Sequence, residues 1–147
     1  MKTFTTENEM IEFGSQLAKH LFPGAIITLE GDLGAGKTTF TKGIGQGLGI
    51  KKVINSPTFT IVKVYHGDYT LYHFDAYRLE GQNDELGFEE MFEGDGVCVI
   101  EWAQFIEDIL PTDRLDMQII KNEDETRTFV FHAHGQRYEE LVKEMNL

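Results

Sequence analysis

Ala25-Ile26-Ile27-Thr28-Leu29-Glu30, followed by Gly31-Asp32-Leu33-Gly34-Ala35-Gly36-Lys37-Thr38, is the stretch that decides the fold. Its first half is apolar and β-branched, the composition of a strand buried on both faces of a parallel sheet. Its second half fits G-x-x-x-x-G-K-S/T without a mismatch. At average residue usage such a match arises by chance in roughly one chain of this length in a few hundred. The residues from about Lys37 to Leu48 read as a helix. The motif therefore stands between a strand and a helix, as its mechanics require. Glycines let backbone N–H groups turn inward around phosphate oxygens, and the helix N-terminus adds partial positive charge. Lys37 is expected to reach the β- and γ-phosphates, Thr38 to ligate Mg²⁺ through its hydroxyl, and Thr39 to sit near the α-phosphate. The helix also carries Gly43, Gly45 and Gly47. Each costs up to about 1 kcal/mol relative to Ala, so packing or a ligand at the N-terminus must compensate.

Upstream, Thr6 to Leu21 reads as a helix. Thr6 and Glu9 have capping-box spacing, and Phe13, Leu17, Ala18 and Leu21 form its apolar stripe before Pro23-Gly24. Downstream, Phe59 to Tyr65 and Tyr69 to Asp75 read as a hairpin joined at His66-Gly67-Asp68. Asn83 to Phe92 reads as an acidic helix, and Val97 to Glu101 as a short apolar strand. A short helix is expected over Ala103 to Ile109, and a terminal one over Gln136 to Met145. Between them Leu115 to Ile120 and Thr128 to His134 alternate as strands do, around a turn near Asn122 to Glu125. No repeat, low-complexity tract or linker interrupts the chain, so residues 1–147 are expected to form a single domain.

Composition narrows the partners. The chain has 147 residues, 41% hydrophobic and 26% charged, ordinary for a folded domain. Thirteen Lys and Arg stand against 25 Asp and Glu, a net charge of −12 with no basic run. Nucleic-acid binding is driven largely by cations on phosphates, so strong tRNA or DNA binding by this chain alone is not expected. No apolar run approaches the roughly 18 residues of a membrane span. The polar Met1 to Glu12 does not resemble a signal peptide, and a lone cysteine, Cys98, builds no disulfide framework. A cytoplasmic protein without a membrane partner is expected, with Cys98 a core thiol.

A phosphate loop needs an acid opposite it to hold Mg²⁺ and its waters. Asp75 ends Leu71-Tyr72-His73-Phe74, and Glu101 ends Val97-Cys98-Val99-Ile100. An unpaired acid at the end of an apolar strand is costly to bury, and Mg²⁺ resolves that, so both are placed in the site. Spacing does not divide their roles. Thr58, after Ser56-Pro57, stands where a switch loop touches the γ-phosphate or Mg²⁺. His132 and His134 fall on one strand face without a third ligand, and His66 and His73 are unremarkable.

Among phosphate-loop classes, a GTPase is not supported. The aspartate of D-x-x-G is followed here by Ala76-Tyr77-Arg78, and Lys121-Asn122 reverses the order of N-K-x-D. The four arginines, Arg78, Arg114, Arg127 and Arg137, are widely spaced and suggest no lid. A compact ATPase fits better, with a small-molecule kinase of the same class as the alternative.

Four motifs in order resemble the bacterial TsaE family: Gly31 to Thr38, Ser56-Pro57-Thr58-Phe59, His73-Phe74-Asp75-Ala76-Tyr77-Arg78-Leu79, and Ile100-Glu101-Trp102. The resemblance covers nearly the whole chain. It implies a three-layer α/β, P-loop NTPase-like fold with a mixed, mainly parallel sheet plus an antiparallel hairpin. It implies a slow ATPase required for threonylcarbamoyladenosine modification of tRNA, working with TsaB and TsaD as partners. By the same resemblance Thr38 and Glu101 bind Mg²⁺, and Asp75 serves hydrolysis as a Walker-B-like acid that shares the metal site. Thr6 and Arg127 lie near the adenine, and Trp102 and the segment from Ser56 to Phe59 move with nucleotide state.

Overall fold

The two mainly apolar runs, ending in Glu30 and Glu101, lie side by side at the centre of one sheet. The computed structural model describes residues 1–32, 34–55, 61–79 and 88–147, with 78 and 79 by their backbone alone. In chain order the elements are β1 (Lys2–Phe4), α1 (Glu7–Ala18), β2 (Ile26–Glu30), α2 (Lys37–Gly47), β3 (Val62–Tyr65), β4 (Leu71–Asp75), α3 (Phe88–Glu93), β5 (Val97–Glu101), β6 (Arg114–Lys121), β7 (Arg127–His134) and α4 (Gln136–Glu144). Single 3₁₀ turns follow β4 and β5, at Ala76–Leu79 and Ala103–Ile106.

The sheet order is β1-β7-β6-β2-β5-β4-β3. Strands β6, β2, β5 and β4 run parallel at the centre, and β3 and β7 run against them at the two sides. Five of the seven described strands thus share one direction, since β1 is antiparallel to β7. This is the mixed, mainly parallel sheet with a hairpin that the resemblance implied. Parallel strands need covered faces, which is why β2 and β5 are buried nearly throughout. Helices α1 and α2 cover one face, over a core that includes Phe13, Phe40 and Phe129. Phe74, Phe88, Phe92 and Ile106 fill the other. Cys98 lies in that second core, where burial pushes its thiol up to about 12 and leaves it inert.

Gly43 and Gly47 of α2 are explained by its neighbour. Helix α1 crosses so close that a Cβ on Gly43 would strike the Ile11 carbonyl oxygen, and one on Gly14 would stand 2.6 Å from the Phe40 carbonyl oxygen. Close approach thus offsets the propensity cost of these glycines. Helix α1 starts where the capping box predicts: the Glu9 N–H donates to Thr6 Oγ1 at 3.2 Å.

Some boundaries differ from the sequence reading. The helix expected to reach Ile109 is one 3₁₀ turn ending at Ile106. The acidic helix is seen as Phe88–Glu93, and its expected residues 83–87 lie outside the described ones. Strand β1 was not foreseen. Three residues carry no readable period, and the strand exists because the edge of β7 offers it partners, Lys2 opposite Phe129. Among the described residues no helix is long and apolar enough to cross a membrane.

Candidate active site

The site is assembled by register. Leu29 on β2 lies beside Glu101 on β5, and Glu101 lies beside Asp75 on β4. Side chains paired across adjacent strands project from the same face. One residue earlier, Phe74 and Ile100 enter the core on the opposite face. Asp75 and Glu101 therefore stand on the α1–α2 side, at the strand ends from which the chain leaves β2 for the phosphate loop.

The loop then turns tightly into α2. The Ala35 N–H bonds the Asp32 carbonyl at 2.9 Å. Gly34 and Gly36 have φ of 81° and 112°, a region that any residue with a Cβ enters at a cost. No side chain caps α2, so its first N–H groups remain to be satisfied by something else. Arg127 braces the loop from β7. Its Nε donates to the Ala35 carbonyl at 2.9 Å and its Nη2 to the Gly34 carbonyl at 3.2 Å. A trans peptide points its N–H away from its C=O. Holding the Ala35 carbonyl toward Arg127 thus turns the Gly36 N–H the other way.

A cavity of about 750 Å³ opens over the loop. Lys37, Thr38, Thr39, Asp75 and Glu101 line it, together with Phe4, Thr6, Met10 and Arg127. Asp75 and Glu101 are only 8% and 6% exposed. Lys37 Nζ lies 3.7 Å from Glu101 Oε1 and 5.0 Å from the centre of the Trp102 ring. Asp75 Oδ1 accepts the Tyr77 N–H at 3.0 Å. A second cavity of about 380 Å³ adjoins the first across Lys37 and Trp102, and Gly31 and Asp32 line it. Ala35 is buried beneath the loop. The structure thus gathers Thr6, the loop glycines, Lys37, Thr38, Thr39, Asp75, Glu101 and Arg127 around one region. Leu33 and Thr58 lie outside the described residues, as does the side chain of Arg78.

Two features were not anticipated. His73 is completely buried, and its Nε2 lies 2.6 Å from Glu101 Oε2. The reading of His73 as unremarkable is therefore corrected. The signal was present: His73 is two residues before Asp75 on a strand, which places both on one face. The other is the backbone of Trp102, left-handed at φ 59° and ψ 40°. For a bulky residue this costs on the order of 1–3 kcal/mol. It turns the indole back beside Lys37, in contact with Tyr77 and Phe105 at centroid distances of 5.2 and 6.1 Å.

A sequence model of the family described as "Threonylcarbamoyl adenosine biosynthesis protein TsaE" matches residues 4–129. The chain is 54% identical over 125 residues to the tRNA threonylcarbamoyladenosine biosynthesis protein TsaE of Bacillus subtilis, covering 84% of this chain and 79% of that protein. It is 48% identical over 101 residues to the protein of the same description from Treponema pallidum, covering 67% and 75%. The crystal structure of Bacillus subtilis YdiB superposes with a TM-score of 0.88 at 44% identity, over 99% of this chain and 92% of that one. Sequence match and backbone match both span most of the molecule, and the chain belongs to the TsaE family.

Proposed function

We propose that this chain is a Mg²⁺-dependent ATPase that supports threonylcarbamoyl transfer to tRNA adenosine by acting on TsaB- and TsaD-type partners. The observation that carries the reading is the phosphate loop facing a pair of buried carboxylates, with Lys37 between them and the loop. The donor set fits the metal. Two carboxylates beside a triphosphate repel it unless a hard cation intervenes, and carboxylate and hydroxyl oxygens are what Mg²⁺ prefers. Thr38 and Glu101 would hold the ion, with Asp75 beside them. Bound there, Mg²⁺ supplies charge neutralisation on the phosphate oxygens. Lys37 neutralises the β- and γ-phosphates, and the uncapped start of α2 donates its N–H groups to them. Asp75 orients the attacking water. The apolar side chains of Phe4 and Met10 in the cavity wall suit a purine ring.

Among the described residues the arginine lining the cavity is Arg127, and its guanidinium is engaged by the Ala35, Gly34 and Glu125 carbonyls rather than serving as a dedicated catalytic arginine. In related chemistry such an arginine contributes about 10³–10⁵ in rate. Turnover by the isolated chain is therefore slow, and partners complete the site. The net charge of −12 argues that the partner holds the tRNA. The reading puts the chain in the cytoplasm, where ATP and tRNA are found together.

The second cavity, beyond Lys37 and Trp102, favours a kinase, because an acceptor there would adjoin the phosphates. A phosphate-release assay with tRNA, partners, or both separates the readings. Partners should raise turnover, and tRNA alone should do little. Fast turnover indifferent to partners, or phosphate appearing on a small-molecule acceptor, refutes the proposal. A pull-down with ATP against ADP tests the nucleotide and the partner together.

A further inference from the structure

The two oxygens of Glu101 are divided between two neighbours. Oε1 faces the cavity and lies 3.7 Å from Lys37 Nζ, whereas Oε2 lies 2.6 Å from the Nε2 of buried His73. An ionised carboxylate only accepts, so Nε2 carries the proton and donates. The other ring nitrogen, Nδ1, is buried with no hydrogen-bond partner among the described residues. A buried polar atom left unpaired is costly, and an apolar side chain of similar volume would avoid that cost. Among the described residues the one hydrogen bond of the imidazole is to Glu101, and this is the property an apolar side chain lacks.

We infer that His73 is a positioning residue: it holds Glu101 Oε2 inward so that Oε1 is presented to the divalent cation. This rests on the ATPase reading above. A free glutamate side chain spreads over several rotamers, and ordering it costs conformational entropy. With the carboxylate already held, that cost is met in folding rather than in metal binding. Hydrogen bonds to metal-ligating carboxylates commonly change metal affinity by about 10- to 100-fold.

The test uses the full-length chain with His73→Leu, which fills space without a donor, and His73→Gln, which keeps an N–H at similar reach. Three quantities are read: ATP affinity without divalent ion, Mn²⁺ affinity of the ADP complex by electron paramagnetic resonance, and the Mg²⁺ concentration for half-maximal turnover. His73→Leu should leave metal-free ATP affinity unchanged and weaken Mn²⁺ binding by about 10- to 100-fold, with the Mg²⁺ requirement rising in step. His73→Gln should restore both to within a few-fold. If the Leu chain does not fold, His73→Asn replaces it, because its shorter amide does not reach Oε2, and the same loss is expected. Unchanged Mn²⁺ affinity in the donor-less variant overturns the inference. Equal losses in His73→Gln and the donor-less variant also overturn it, leaving a packing role. A wild-type chain that binds no ATP would instead overturn the ATPase reading and the inference with it.

Discussion

Gly43→Ala sets two effects of opposite sign against each other. In an isolated helix the change gains about 0.8–1.0 kcal/mol. Here the new Cβ would strike the Ile11 carbonyl oxygen and stand 2.8 and 2.9 Å from the Ile11 C and Cα atoms. All three are backbone, so no rotamer change relieves the contact and α1 must move as a unit. Overpacking of this kind costs typically 1–3 kcal/mol, occasionally more. A rigid backbone neighbour places this site at the upper end. The net loss is then about 1–2 kcal/mol, or roughly 2–8 °C in melting temperature for a chain of this size. Gly45→Ala in the same helix is the control. Its Cβ would meet the Ile54 Cδ1 methyl, the far end of a flexible side chain, so the propensity gain should nearly cancel the strain. Urea unfolding of the two variants measures the difference. The consequence reaches the site, because α2 begins at the phosphate loop and Thr6 and Met10 at the start of α1 line the same cavity. ATP affinity should therefore fall in Gly43→Ala and hold in Gly45→Ala. A Gly43→Ala chain as stable as wild type, or no less stable than Gly45→Ala, refutes the packing argument.

Three more predictions follow from the site and its surroundings. Lys37→Ala removes the cation over the β/γ-phosphates, so calorimetry should show weakened ATP binding or turnover should vanish; normal values for both would end the phosphate-loop assignment. Asp75→Asn and Glu101→Gln keep shape without charge and should each lower hydrolysis far more than nucleotide binding, as single-turnover and binding measurements would separate; a wild-type rate clears that residue. Burial by itself pushes the Asp116 carboxyl up, but hydrogen bonds from Thr28 and Arg114, the Arg114 charge and His134 together hold it below the ordinary carboxylate range. Its stabilising contribution is thus present above the ordinary value, near pH 4, and is lost as pH falls through the lowered one. The gap in urea midpoint between wild type and Asp116→Asn should accordingly close below about pH 4, and a gap constant with pH would contradict this.

What could be read from the sequence is what depends on neighbours along the chain. The run from Ala25 to Glu30, the glycine spacing to Lys37, the capping box at Thr6 and the apolar strand ending in Glu101 are local patterns, and each lies where it was expected. The acids at the ends of β4 and β5 were legible for the same reason, because a carboxylate closing an apolar strand is locally anomalous. Their pairing was not: Asp75 stands beside Glu101 because β4 and β5 run parallel in one register, and no spacing between residues 75 and 101 encodes a register. The contact of His73 with Glu101 depends on that same register. Strand β1 exists only where β7 leaves an edge to pair with. Arg127, 93 positions from Gly34, reaches the loop's carbonyls only after β6 and β7 have folded back along β2. The glycines of α2 were visible as a cost, but the compensation for Gly43 and Gly47 lay in the approach of α1, a distance set by packing. The sequence by itself thus determined the elements and the chemistry each could carry. Tertiary structure decided which of them meet, because strand register and helix approach arise from packing between segments far apart in the chain.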